Sequence, residues 1–583
     1  MKTLRHHLPT ILVAVLAFTM LVPFLGLTEF YSKGEPREAV VAVSILNTDN
    51  WILPVNNGGD IPYKPPFFHY CIALLSLVTG HVSEFTSRLP SALSLWVMTM
   101  AFFCFVRRRR DTAVAAVTAL LTLTAFEVHR AGVACRVDMM LTMFVTCALL
   151  LMYRWYERGA KGLPLAAVLC MSGAVLTKGP VGALLPCMVM GVFMLMRGVR
   201  IGKIVMKMTA CGLLSCIVPA LWYVAAYNEG GERFLDLVVE ENFGRMTGTM
   251  SYESHKHPFT YNFLTMFSGW APYTLLLIIS MFLMPWQRLF RRPDMQRLRA
   301  RLLGADDLHT FVWLSWVLIF VFYCLPSSKR SVYLLPCYPF MAVLIAEYIV
   351  RLTDSGRTKS LRIFAAVTGI IGILLTSVFM AIRAEWVEGD IFSGRHADEN
   401  IAFLRALRDT TLNPTETLIS WLPLVMGVAA LAVIALRRLH TDRRAMLTAV
   451  FATTVAIFLA LDGVLQPVIL NRKSLRPMAE MIRQVYPEEK LYSYISQPMM
   501  HFFGADFYLG DKIGQFEKPR YSVSASHVKP ENGILIIPDG DAAEFISRYE
   551  KQYRFVLVLR SLGRTSEVKD RVCFYRFNRR STK

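Results

Sequence analysis

Apolar runs of roughly 15 to 20 residues recur along most of the chain, each hydrophobic around its whole circumference and each ended by a short polar segment. As α-helices, such runs cross a hydrocarbon core of about 30 Å. Basic clusters close many of them: Lys2 and Arg5, Arg107 to Arg110, Arg154 to Lys161, Arg197 to Lys207, Arg288 to Arg301, Arg351 to Arg362, and Arg437 to Arg444. Placing every cluster on the cytoplasmic side predicts thirteen spans, near 8–28, 89–106, 112–130, 139–153, 163–177, 180–196, 208–226, 266–284, 308–325, 332–350, 363–382, 418–436 and 445–465. The stretch "PPFFHYCIALLSLVTG" is short for a span. If it crossed, Arg107 to Arg110 would face outward, so it is assigned to an interfacial helix.

The expected organisation is therefore an all-α polytopic membrane domain over 1–466. It carries large external loops at 29–88, 227–262 and 383–415, and residues 467–583 form an external tail. In that tail "KLYSYI", "GILIIP" and "FVLVLR" read as strands and "SLRPMAEMIRQVY" as a helix, which predicts a small α/β domain. The N-terminal run lacks a convincing small-residue cleavage site and is read as an uncleaved first span.

Composition agrees: 54% of the 583 residues are hydrophobic and 18% are charged, a balance that excludes most soluble classes. The net charge of +20 could suggest a nucleic-acid partner, but its placement at the ends of spans makes it a topology signal with some affinity for anionic lipid. The 11 cysteines lie almost entirely inside apolar runs with no C-x-x-C, so neither a disulfide framework nor a thiolate metal site is expected.

Candidate chemistry gathers on the external side. The first loop holds Glu35 and Lys64, "CRVDMM" holds Arg136 and Asp138, and "LTKGP" holds Lys178. The second large loop adds Arg245, Glu253, His255 and His257, and "LPSSKRSVYLLPCYP" adds Lys329, Arg330 and Tyr333. Charges at a membrane boundary must be paired or solvated, and their convergence predicts an outward polar cavity in which cations hold a phosphate and a carboxylate acts as base. Plainer roles also fit some of them: Glu35 suits the first turn of a helix at "PREAVVAVSILN", and Lys178 a helix end.

The ordered set "GEPREAVVAVSILNTDNWILPVNNGGDIPYKPP", "SRLPSALS", "CRVDMM", "LTKGP", "HKHPF" and "SSKRSVYLLPCYP" resembles the GT-C superfamily of membrane glycosyltransferases. The closest likeness is to the bacterial lipid A 4-amino-4-deoxy-L-arabinose transferases, with the protein O-mannosyltransferases more distant. The resemblance covers about the first 340 residues. It implies transfer of a sugar from a polyprenyl-phosphate carrier to a lipid or protein acceptor at the outer face of the bacterial inner membrane, with Lys64 as the donor-phosphate lysine, Asp138 as the acidic residue of its loop, and Tyr333 as a donor-site tyrosine.

Two departures from that family pattern matter. Its first loop usually opens on Asp-Glu, the Asp often being assigned as base, where this chain has Gly34-Glu35. Its lipid A branch has a Glu before the loop lysine, where this chain has Tyr63; a metal site shared with His255 would thereby lose a ligand, so no metal is expected and no cofactor beyond the lipid-linked donor. A phosphate acceptor is already ionised at neutral pH and needs no base, whereas a hydroxyl needs one. Gly34 leans the reading toward a phosphate, with Glu35 or Asp138 as base if the acceptor is a hydroxyl. The alternative from another class is a transporter or flippase of a lipid-linked sugar. Against it, the sequence lacks the internal repeat common in transporters.

Overall fold

The computed structural model describes residues 2–62, 64–244, 256–284, 306–388, 392–394, 397–497, 500–517, 529–561 and 563–580. Among the described residues, eight helices are long and apolar enough to cross a membrane: Glu84–Arg107, Val137–Glu157, Ile201–Asn242, Asp307–Cys324, Ser331–Asp354, Lys359–Arg383, Pro414–Ala435 and Arg443–Lys473. Counting each bent pair as one span brings the number to ten; these are Thr112–Thr124 with Phe126–Gly132, bent by 68°, and Tyr261–Gly269 with Tyr273–Phe282, bent by 100° around Pro272. The remaining three expected spans fall on shorter or N-terminal apolar helices, His6–Leu21, Leu165–Lys178 and Val181–Met196. The chain is a multi-pass membrane protein.

The bundle is held by close packing of apolar and small residues, since lipid offers no hydrophobic drive between helices. Tyr153, Phe193 and Phe311 pack with ring centroids 4.6 to 5.8 Å apart between three helices. Where Lys359–Arg383 meets Pro414–Ala435, a Cβ added at Gly427 would lie 2.5 Å from the Gly369 carbonyl oxygen, so only glycine permits that approach.

Charge divides the bundle into two ends. At one end the basic clusters find carboxylates: Arg109 with Glu157, Arg110 with Asp306 and Glu347, Arg197 with Asp307, and Arg443 with Asp111. At the other lie the first loop and the tail. Helix Pro36–Thr48 and helix Phe67–Thr79 form most of that loop's framework, the second of them at the position expected for an interfacial helix. It buries Phe68, Ile72 and Ala73 while Leu74, Leu77 and Val78 are exposed, an apolar outer face suited to lipid.

The tail folds into a five-stranded mixed sheet with order β2-β1-β3-β5-β4, from β1 (Leu491–Ser493), β2 (Ile513–Gln515), β3 (Asn532–Pro538), β4 (Tyr553–Arg560) and β5 (Val572–Arg579). β1 runs parallel to β2 and β3, while β5 pairs antiparallel with β3 and β4. The three expected strands and the expected helix, Arg476–Val485, are present. β2, only three residues long, and β5, interrupted by arginines, carry too little alternation to be read from sequence.

This domain sits on the first loop. Helix Phe503–Leu509 packs on Pro36–Thr48, and Phe507 meets Phe30 at 4.8 Å. Asp511 accepts from Ser44 and from the Asn57 amide, and His501 pairs with Asp60 at 2.5 Å. From this arrangement, cysteines introduced at Pro62 and Gly510 react with an impermeant external thiol reagent in intact cells and one at Arg109 does not; labelling at Arg109 would overturn the orientation.

Candidate functional site

The first loop is anchored by one buried ion pair. Arg88, near the start of Glu84–Arg107, donates to both carboxylate oxygens of Glu35, at 2.8 and 3.1 Å, and also to the carbonyl of Leu25 at 2.7 Å and that of Thr28. The Cys135 amide adds a bond to Glu35 at 2.9 Å. Burial raises the Glu35 carboxyl, but the Arg88 charge and these hydrogen bonds outweigh it and hold the group below its usual range. A carboxylate so fully engaged is a poor proton acceptor. Its place in the structure is that of an anchor.

One turn further along the same helix, Glu38 is buried between Lys64 and His69, with its second oxygen 3.1 Å from His69 Nε2 and Arg37 beside it. Burial pushes Glu38 up, and Lys64, His69 and Arg37 together pull it well below the usual carboxylate range. Burial also pushes the Lys64 ammonium down to about 8, against the opposing pull of Glu38. Asp138, in the first turn of Val137–Glu157, pairs with Lys178 at the end of Leu165–Lys178, and the Lys178 ammonium lies 4.2 Å from the Tyr333 ring centroid. The charges of Asp138 and Arg136 reach this group, and Lys64 is in electrostatic contact with Asp138. Lys64, Asp138, Lys178 and Tyr333 thus form one cluster.

Other expected residues have different places. Lys329 is 5% exposed and donates to the carbonyls of Pro326 at 2.6 Å and His257 at 3.2 Å, tying two loops together. His257 stacks on Tyr261 at 4.0 Å. Arg330 acts electrostatically on Lys33 at the rim where the tail domain meets the first loop. Arg136 lines a separate cavity of about 350 Å³ with Glu35 and Arg88. Arg245, Glu253, His255 and Tyr63 lie outside the described residues, and with them the basis for the metal expectation.

Glu38, His69 and Arg88 belong to the site and are not among the residues its motifs single out. The signal was there for Glu38, because an acid inside "PREAVVAVSIL" at three residues from Glu35 falls on the same buried face and requires cationic partners.

Residues 63–223 match the dolichyl-phosphate-mannose-protein mannosyltransferase family. An uncharacterized protein of Aquifex aeolicus (strain VF5) is 27% identical over 329 residues, 56% of this chain and 60% of the relative. An undecaprenyl phosphate-alpha-4-amino-4-deoxy-L-arabinose arabinosyl transferase of Shewanella sediminis (strain HAW-EB3) is 28% identical over 353 residues, 58% of this chain and 59% of the relative. The match thus spans about three fifths of the length of these relatives. The crystal structure of ArnT from Cupriavidus metallidurans bound to undecaprenyl phosphate superposes with a TM-score of 0.70 at 19% identity, covering 99% of this chain and 98% of that one. The chain is therefore a membrane protein with the GT-C-type fold of ArnT, similar in sequence to the arabinosyl transferases as its loop motifs indicate.

Proposed function

We propose that the protein transfers a sugar from a polyprenyl-phosphate carrier to an acceptor at the outer face of the bacterial inner membrane, inverting the anomeric centre. One observation carries the reading: at the end of the bundle away from the basic clusters, Lys64 and Lys178 are held by the buried carboxylates Glu38 and Asp138, with Tyr333 against Lys178. Similarity to arabinosyl transferases that use an undecaprenyl-phosphate-linked sugar supports it.

In the transfer, an acceptor oxygen attacks the anomeric carbon and forms the new C–O bond. The bond from that carbon to the phosphate oxygen breaks, and its electron pair leaves with polyprenyl phosphate. Charge grows on the departing phosphate, which two pre-placed ammonium groups stabilise at no reorganisation cost. Glu38 and Asp138 hold those ammonium groups in place.

Lys64→Ala should therefore abolish transfer in a purified assay with a polyprenyl-phosphate sugar while the protein still folds, with a thermal midpoint lowered because buried Glu38 keeps only His69 and Arg37 as partners, and Arg should rescue poorly because its planar fork cannot replace a compact point charge. Full turnover by the alanine variant would remove Lys64 from the mechanism.

The rate should also respond to Lys64 ionisation. Because the ammonium loses its proton near pH 8, donor kcat/KM should fall as pH rises through about 8. Glu38→Gln removes the partner that favours the charged form, so the same limb should move to lower pH. An unmoved limb in that variant would show that another group sets it.

A further inference from the structure

At the basic end of the bundle, away from the first loop and the tail domain, four helices enclose a cleft of about 870 Å³. Its floor is made by Thr112–Thr124 and Arg443–Ala460. Its walls are Lys2–Leu21, through Leu12 and Leu16, and Pro414–Ala435, through Leu422 and Met426. Small residues give it depth: Ala113 and Ala116 share one face of the first floor helix at a three-residue interval, and Thr448, Ala452 and Ala456 share one face of the second at four-residue intervals. Leu12, Val15, Trp421 and Val425 on the flanking helices are exposed, so the cleft opens onto the surface that faces acyl chains.

The mouth of the cleft is charged, and its carboxylates are already engaged. Arg443 pairs with Asp111 and, at 3.3 Å, with Asp354, while Asp442 accepts from the Ala445 amide at 2.7 Å. Arg444 starts the ladder that Thr448, Ala452 and Ala456 continue, and it lines the same cleft. Its guanidinium is exposed and makes no hydrogen bond or ion pair among the described residues. From Arg444 to Leu459 the floor extends about 22 Å at the helical rise of about 1.5 Å per residue, which exceeds half of a hydrocarbon core of about 30 Å. A cation at the interface, leading into an apolar trough that crosses one leaflet, is the complement of a net-anionic headgroup with its chains attached.

We propose that this cleft binds one anionic phospholipid from the leaflet at the basic end of the bundle, with its phosphate at Arg444 and an acyl chain lying along Ala452 and Ala456. The lipid fills the gap between the first helix and Pro414–Ala435. It thereby joins the N-terminal helices to the last spans. The site is at the opposite end from Lys64 and Lys178 and rests on no step of the transfer.

Native mass spectrometry of the delipidated full-length protein tests this, with palmitoyl-oleoyl phosphatidylglycerol as probe and phosphatidylcholine of the same chains as control. Wild type should take up one phosphatidylglycerol at least about fivefold more tightly than phosphatidylcholine. Arg444→Ala should lose at least about fivefold, which is what one basic residue contributes at an anionic lipid surface. Ala452→Phe and Ala116→Phe, each of which puts a ring into the trough from a half-buried position, should weaken binding of the probe with the charge left intact. Arg438→Ala removes an equally exposed charge outside the cleft and should bind as wild type does. Equal affinity for the two lipids, undiminished binding in Arg444→Ala, the same loss in Arg438→Ala, or no effect of either phenylalanine would overturn the proposal. So would a dimer that Ala452→Phe dissociates without changing lipid uptake, since a second copy of the chain would then cover the cleft.

Discussion

The pair between Glu35 and Arg88 is the constraint on which the rest of the bundle end bearing the tail domain depends. Arg88 belongs to a membrane helix, and its guanidinium joins the turns that follow the first helix, through the carbonyls of Leu25 and Thr28, to the start of helix Pro36–Thr48, through Glu35. Glu35 in turn receives the Cys135 amide, so the segment bearing Arg136 and Asp138 is fixed by the same knot. Removing one partner from such a pair leaves an uncompensated buried charge, at a cost of about 3–5 kcal/mol. Everything chemical in the first loop is placed relative to this point.

From it the helix Pro36–Thr48 runs with a fixed start and a fixed face. Glu38 follows one turn on and reaches Lys64 and His69, and its hydrogen bond with His69 ties the loop's two helices together. The tail domain then covers the outer side of Pro36–Thr48, with Asp511 accepting from Ser44 and from the Asn57 amide. Burial and its neighbour Asp511 push the Asp506 carboxyl well above the usual range. A loop rich in Pro, Gly and Asn is thereby held between the bundle and the tail domain.

Much of this was legible in the sequence because the membrane enforces simple rules. Apolar runs ended by arginines gave the helices and the division into two chemically different ends, and the short run at 67–79 separated itself by its length. Lys64, Asp138, Lys178 and Tyr333 were identified from loop motifs and are found together. What the sequence did not convey is partnership. That Glu35 belongs to Arg88, 53 residues away, while Lys64 belongs to Glu38, is decided by the packing of four helices and has no local signature. Lys329 illustrates the same limit, since its charge looks functional in a loop until its ammonium is seen bonded to two carbonyls.

The proposed role of Lys64 and Lys178 is to hold the carrier phosphate between them at the end of the bundle bearing the tail domain. A structure of the protein with undecaprenyl phosphate bound tests it most directly. Phosphate density is expected in hydrogen-bonding contact with the Lys64 ammonium, adjacent to Lys178 and Tyr333, with Glu38 still paired to His69. Phosphate density at the opposite end, among Arg107 to Arg110 or beside Arg443, would contradict it.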